Sequence, residues 1–307
     1  MLSTRIAATL GAAATLVVGA IAAAPAGQAA GGPGAARPAP AHHATALGRP
    51  GQGVSIAAVP QLSHVVVAIF ENHKRSSIIG SSNAPYINGL AGQGANFSQS
   101  FAITHPSQPN YLALYSGSTQ GITNDSCPHT FSGNNLGNQL IVSGRTFKGY
   151  SESMPSDGYT GCTSGQYARK HNPWVNFSDI PASSNLRFSR FPTDFTTLPT
   201  VSFVVPNLCN DMHDCSVSTG DTWAKNHLDA YVQWAKTHNS ALILTFDEDD
   251  GTAGNNIATV FVGQHVKVGV FTEHIDHYTV LRTLEDMYGL AALGNAASRT
   301  AISDIWN

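Results

Sequence analysis

Ser63-His64-Val65-Val66-Val67-Ala68-Ile69-Phe70 is a nearly unbroken β-branched and apolar run, followed at once by Glu71-Asn72-His73. A strand that hides one face alternates apolar with polar residues, whereas one apolar at every position hides both, as in the interior of a parallel sheet. Thr200-Val201-Ser202-Phe203-Val204-Val205 and Ala241-Leu242-Ile243-Leu244-Thr245-Phe246 repeat the pattern, and Ile257 to Val262 is a fourth candidate. Between them, Tyr86–Leu90, Tyr111–Tyr115, Leu136–Val142, Trp223–Ala235 and Tyr278–Tyr288 carry apolar residues at helical spacing, and Gly289 suits a helix stop. Strands alternating with helices imply an α/β domain, read here over residues 61–307. The Pro-, Ser- and aromatic-rich stretch 151–199 reads as a long insertion around one face.

Polar chemistry falls where these strands end. The first ends in Glu71-Asn72-His73, the second in Pro206-Asn207 and then Asn210-Asp211-Met212-His213-Asp214, the third in Asp247-Glu248-Asp249-Asp250-Gly251. In open α/β sheets ligands bind outside the carboxyl ends of the strands, so the three ends should converge on one site.

Upstream of the first strand the chain changes character. Arg5 and the Ala-rich apolar run Ala7–Ala24 read as a secretory signal over residues 1–30, cleaved after Ala24 or Ala30. Residues 31–60, rich in Gly, Pro and Ala, read as a flexible tether. No later apolar run approaches the roughly 20 residues of a spanning helix, so no transmembrane segment is expected in the mature protein, and the localisation read from the sequence is secreted. Of 307 residues only 11% are charged, and 16 Lys plus Arg against 19 Asp plus Glu leave a net charge of −3. That balance excludes the clustered basic charge on which nucleic-acid binding rests. Four cysteines in an exported chain favour disulfides. Three connectivities are open; the preferred one joins Cys209 to Cys215 across a short loop and Cys127 to Cys162 across a longer one.

The acidic run Asp247–Asp250 packs like charges directly after a buried strand, which is costly unless a cation compensates. Hard oxygen ligands from Asp247, Glu248, Glu71 and the amide of Asn72 suit a divalent metal ion; the competing reading is a solvated acidic turn. Thr104-His105-Pro106-Ser107-Gln108-Pro109-Asn110-Tyr111 precedes a predicted helix. Ser107 there is either an N-cap or a nucleophile helped by the positive helix end and a metal. Arg169-Lys170-His171 gathers three potentially cationic side chains that can clamp a phosphoryl group, unless the loop is merely a solvated surface. Asp211 and His213 are candidates for phosphate or a second metal. At His274, Asp276 and His277, helix capping competes with ligation. No G-x-S-x-G elbow is present, against an esterase of the α/β-hydrolase kind.

These motifs, in this order and with His277-Tyr278 and Asp304-Ile305-Trp306 at the end, resemble the phosphoesterase family that includes bacterial acid phosphatases and non-specific phospholipases C. The resemblance covers residues 61–307 and implies an alkaline-phosphatase-like α/β core with a mostly parallel central sheet flanked by helices. It further implies Ser107 as nucleophile, Glu71, Asn72, Asp247 and Glu248 as metal ligands, and Asn110, Lys170, His171 and His213 as phosphate contacts. Some relatives have His where Lys170 stands. A second metal would need an Asp and His set that the sequence does not assemble, so one metal is favoured.

The function expected is a secreted, metal-dependent phosphomonoesterase of acid-phosphatase type acting through a phosphoserine, with a phosphoinositide headgroup among its candidate substrates. A phosphodiesterase of phospholipase C type and a non-catalytic phospho-ligand binder are the alternatives.

Overall fold

The first strand does hide both faces, and its side chains divide between two cores with a period of two. Val65, Val67 and Ile69 point into one apolar cluster, and Val66, Ala68 and Phe70 into the other. A computed structural model describes residues 59–307; the leader read over residues 1–30 and nearly all of the tether lie outside the described residues. In chain order the elements are β1 (His64–Phe70), α1 (Arg75–Ile78), α2 (Pro85–Ala91), β2 (Ala95–Phe101), α3 (Ser107–Ser116), α4 (Leu136–Val142) and β3 (Phe147–Ser151). There follow β4 (Thr163–Ser164), β5 (Tyr167–Ala168), β6 (Asn185–Arg187), β7 (Val201–Val205), α5 (Val217–Ala235), β8 (Ser240–Phe246), β9 (Asn256–Gly263), β10 (Gly269–Asp276) and α6 (His277–Tyr288).

Eight strands form one sheet in the order β10-β2-β9-β8-β1-β7-β3-β6, and β4 with β5 forms a separate small hairpin. β1 pairs in parallel with both β7 and β8. The three strands whose ends carry the polar motifs are therefore neighbours at the middle of the sheet. One cluster packs β1, β7 and β8 against α3, α4 and α6, and the other packs them against α2 and α5. The sheet is thus mostly parallel and covered on both faces, as expected.

The fourth candidate strand exists, but β9 runs antiparallel to both β8 and β2. Its connection to β8 is a short loop rather than a helix, and only an antiparallel partner can be reached that way. Asp249 builds that loop by accepting hydrogen bonds from the amides of Gly251, Ala253 and Asn255 at 2.6, 2.7 and 3.0 Å. Stretch 151–199 is not wholly an insertion, since β6 adds an edge strand beside β3. At α6, capping wins over ligation: Asp276 accepts from the Thr279 amide at 2.8 Å in a capping box, while His274 lies in β10 stacked on Phe101. Gly289 closes α6 with φ +64°, a left-handed turn open to glycine at no steric cost.

Both preferred disulfides are present, Cys127–Cys162 and Cys209–Cys215. Among the described residues no helix is long and apolar enough to cross a membrane.

Candidate active site

Three hydrogen bonds from backbone amides draw the strand ends together. The Asp247 amide donates to Phe70 O at 2.9 Å, the Glu71 amide to Asp211 O at 2.8 Å, and the Asn72 amide to Asp247 Oδ1 at 3.0 Å. Glu71, Asp211, Asp247 and Glu248 consequently share one buried space. Burial, reinforced by the neighbouring Asp211, pushes the Glu71 carboxyl well above the ordinary range. Burial with Glu71 and Glu248 nearby does the same to Asp247, and burial pushes Asp211 up to about 8. Each shift marks a site in which uncompensated negative charge is unfavourable.

Ser107 faces this cluster. It is the first residue of α3 and does not cap the helix, so the N-cap reading is set aside: its Oγ lies 3.0 Å from Glu71 Oε2 and 3.1 Å from Glu248 Oε1. With one hydrogen and two acceptors, the hydroxyl can donate to only one carboxylate at a time. Tyr111, one turn later on the same helix face, donates its hydroxyl to the other oxygen of Glu71, Oε1, and stacks on His171 with ring centroids 5.1 Å apart. The helix thus brings a serine hydroxyl and a phenol to the two oxygens of one glutamate.

His171 lies deeper than a phosphate contact should. It is buried, with Nε2 3.1 Å from Glu71 Oε1 and Nδ1 3.4 Å from Asp211 Oδ2. Burial, followed by the charge of Lys170, holds its pKa well below the usual histidine value. A neutral imidazole beside two carboxylates is a ligand in its binding form, and Glu71, His171 and Asp211 can bring their donor atoms within 4.8 Å of one another. The sequence offered His171 only as a phosphate contact and Asp211 as a candidate for phosphate or a second metal; the fold sets both beside Glu71.

The donors fit a divalent cation on a second count. Asp247 Oδ2 and Asp211 Oδ2 are buried without a hydrogen-bond donor, and His171 Nε2, though close to Glu71, is not aligned to donate. A cation held by Glu71, His171 and Asp211 would satisfy the last two of these atoms. For Asn72 the contact shown is its backbone amide on Asp247. His277 opens α6 and reaches Asp247 O with Nε2 at 2.6 Å, which steadies the strand end rather than facing a ligand.

Asn110 departs from its expected role. Its Oδ1 accepts from the amides of Ile103 and Thr104 at 2.9 and 3.0 Å, and its Nδ2 donates to Thr104 O and Pro106 O at 2.8 and 3.3 Å. Every hydrogen-bonding position of the side chain is used to hold the loop in front of Ser107, leaving none for phosphate. Lys170 is half-buried at the edge of the cluster, its Nζ 2.9 Å from Asp125 Oδ2. His213 lies beyond it, with Nδ1 2.6 Å from Asp214 Oδ1 and its ring 6.0 Å from that of His171. The acidic run divides its labour: Asp247 and Glu248 face the cluster, Asp249 builds the β8–β9 loop, and Asp250 pairs with Lys74 at 3.0 Å.

Sequence reasoning gave no role to His105, Tyr111 or Asp125. His105 places Nδ1 2.6 Å from Glu248 Oε2 and Nε2 3.1 Å from Asp249 Oδ1, at ion-pair distance without hydrogen-bond alignment. Tyr111 was legible from its four-residue spacing to Ser107, whereas Asp125 meets the site only through the tertiary fold.

The profile of the phosphoesterase family matches residues 79–291. The chain belongs to the phosphoesterase family. This phosphoesterase is 50% identical over 260 residues to the phosphatidylinositol-3-phosphatase of Mycobacterium tuberculosis, a match covering 84% of this chain and 87% of that protein. It is 31% identical over 226 residues to the phosphate-repressible acid phosphatase of Penicillium chrysogenum, covering 67% of this chain and 54% of the relative. The chain thus spans about half the length of that fungal relative. Among solved structures it resembles a protein in the alkaline phosphatase superfamily from Vibrio parahaemolyticus (TM-score 0.56, 11% identity, 81% of this chain and 73% of the other). It also resembles a phosphonate monoester hydrolase from Silicibacter pomeroyi (TM-score 0.52, 11% identity, 78% and 76%). Likeness at such low identity is a likeness of fold, and the fold is the alkaline-phosphatase-like one that the motifs implied.

Proposed function

We propose that this phosphoesterase hydrolyses phosphate monoesters, with Ser107 as nucleophile. The observation that carries the reading is the Ser107 hydroxyl, set at the start of α3 and within 3.1 Å of carboxylate oxygens from two different strand ends. In the first step Ser107 Oγ bonds to phosphorus and its proton passes to a carboxylate in reach, while the bond from phosphorus to the alcohol oxygen breaks and the alcohol leaves after taking a proton from water. In the second, water displaces serine and inorganic phosphate leaves. The amide end of α3 favours the negative phosphoryl group, and Lys170 adds a positive charge at the edge. Because phosphoryl transfer is catalysed mainly by positioning and charge stabilisation, the rigidity of the strand ends matters as much as the nucleophile.

Glu71, Asp247 and Glu248, with Asn72, His171 and Asp211 beside them, would hold a divalent cation, which supplies the Lewis-acid charge that favours an ionised serine and a more negative phosphoryl group. Half identity to a phosphatidylinositol-3-phosphatase supports a phosphoinositide headgroup as substrate. Export is supported by the leader-like residues 1–30 and by the two disulfides, and the catalytic domain is taken as residues 61–307.

The test is phosphate release from p-nitrophenyl phosphate, phosphatidylinositol 3-phosphate, sugar phosphates and nucleotides, beside the diester p-nitrophenylphosphorylcholine. Monoester turnover should vanish on chelation and return with a divalent ion. A preference for the diester would overturn the monoesterase reading; full activity in exhaustively chelated, metal-free protein would overturn metal dependence.

A further inference from the structure

Asp125 carries an argument of its own, which rests on the phosphomonoesterase reading for its functional consequence. Its two carboxylate oxygens do different things. Oδ1 accepts the amide of Gln108, the second residue of α3, at 2.9 Å, and Oδ2 receives the Lys170 ammonium at 2.9 Å. The residue that satisfies an amide in the first turn of the helix bearing Ser107 is therefore also the anchor of the Lys170 ammonium.

Asp125 is itself held. Two residues on, Cys127 is bridged to Cys162, and Cys162 O accepts the amide of Arg169, the neighbour of Lys170, at 2.9 Å. The disulfide and the Asp125–Lys170 ion pair thus tie the same two segments together, one covalently and one by charge.

Lys170 needs such an anchor. Its ammonium sits 2.9 Å from Asp125 Oδ2, with the buried carboxylates of Glu71 and Asp247 as the competing negative charges of the site. The ammonium is consequently drawn in two directions: toward Asp125 at the rim, or inward onto Glu71 and Asp247. Collapsed inward, it would neutralise the carboxylates that suit a cation and would no longer face an arriving phosphate.

We infer that Asp125, fixed by the Cys127–Cys162 disulfide, is a positioning residue: it holds the Lys170 ammonium at the mouth of the site, in register with the first turn of the helix that bears Ser107. Asp125 touches neither the reacting atoms nor the phosphate, and acts through Lys170 and α3.

The test is a double-mutant cycle of Asp125→Asn and Lys170→Met in the disulfide-intact protein, read as kcat/KM on p-nitrophenyl phosphate and as the Kd of inorganic phosphate with divalent ion restored. Asparagine keeps an oxygen for the Gln108 amide and loses the charge that grips Lys170. Asp125→Asn alone should weaken phosphate binding and lower kcat/KM by about tenfold or more, since one decade is a modest share of a charged contact. The double variant should be within about twofold of Lys170→Met, because residues acting as one unit are not additive. A purely structural Asp125 would lower the melting temperature and leave the two losses multiplicative, which overturns the inference, as does unchanged phosphate binding in Asp125→Asn. Should Asp125→Asn fold poorly, Asp125→Glu, which keeps the charge, must restore phosphate affinity when Lys170 is intact and not when it is methionine; failure to do so also overturns it. If the wild type binds phosphate in this Asp125-dependent manner yet hydrolyses no monoester, the proposed function fails and the positioning role stands.

Discussion

Removing the Asn110 side chain separates two roles that the sequence could not. In Asn110→Ala, the amides of Ile103 and Thr104 and the carbonyls of Thr104 and Pro106 lose their partners, four hydrogen bonds in all. A net hydrogen bond is worth roughly 0.5–1.5 kcal/mol, and these groups are only partly buried, so water can replace some of the loss. A destabilisation of about 2–4 kcal/mol follows, which in a domain of this size lowers the melting temperature by roughly 5–15 °C. The loop it releases carries His105 and Pro106 into Ser107, so kcat should fall while the affinity for inorganic phosphate stays within about threefold. Asn110→Asp keeps the acceptor and sets a carboxylate against two carbonyls, so its defect should be larger at pH 8 than at pH 5, where the added carboxyl is more readily protonated. Thermal melts and product inhibition by phosphate read both quantities. An unchanged melting temperature together with a tenfold loss of phosphate affinity would refute the loop-holding role and reinstate a phosphate contact.

Further outcomes follow from the same structure. Glu285 accepts from the Leu293 amide at 2.8 Å with one oxygen and leaves the other buried without a donor, and burial pushes its carboxyl up to about 7 from 4.5. A carboxyl with a raised folded pKa is neutral and harmless below about pH 4.5 and costs stability progressively as pH rises through 7. Glu285→Gln should therefore match the wild type near pH 4.5 and exceed it at pH 8 by about 1–2 kcal/mol, discounted from the full shift for solvent screening; equal urea midpoints at pH 8 would contradict this. The disulfides close loops of 35 and 6 residues of sequence separation, worth about 4 and 2 kcal/mol in the chain-entropy account. Reduction should lower the melting temperature markedly, and four free thiols in protein recovered from culture medium would refute the bridges.

What was legible in the sequence was whatever local pattern decides. β1, β7 and β8 announced themselves because a strand buried on both faces is apolar throughout, and their ends announced the site because the polar residues follow without a gap. Helix α3 was legible through Pro109 in its first turn and the spacing of its apolar residues. β10 was not read, since its exposed positions Val270, Thr272 and His274 alternate with only partly buried ones and only its last residues, Ile275 and Asp276, are buried. β9 was legible as a strand, and only its antiparallel direction was hidden, because direction depends on the loop that Asp249 ties and not on the strand. In the site, Glu71, Asp247 and Glu248 stood at strand ends, while the pairing of His171 with Asp211 depends on a backbone contact between Glu71 and Asp211, 140 residues apart in sequence. Asn110 carried the right residue type for phosphate and is occupied by the loop beside it. A motif names the residues that matter; which of them touch ligand depends on hydrogen bonds made across the fold.

The central claim is that Ser107 bonds to phosphorus, and the turnover of folded Ser107→Ala on p-nitrophenyl phosphate tests it most directly. Since Ser107 caps nothing, alanine should leave the melting temperature and the affinity for phosphate largely unchanged. Turnover should fall by at least about a thousandfold, some 4 kcal/mol at 1.36 kcal/mol per decade. A folded Ser107→Ala protein that keeps more than about a tenth of the wild-type rate, a change of less than 1.4 kcal/mol, would contradict the phosphoserine mechanism.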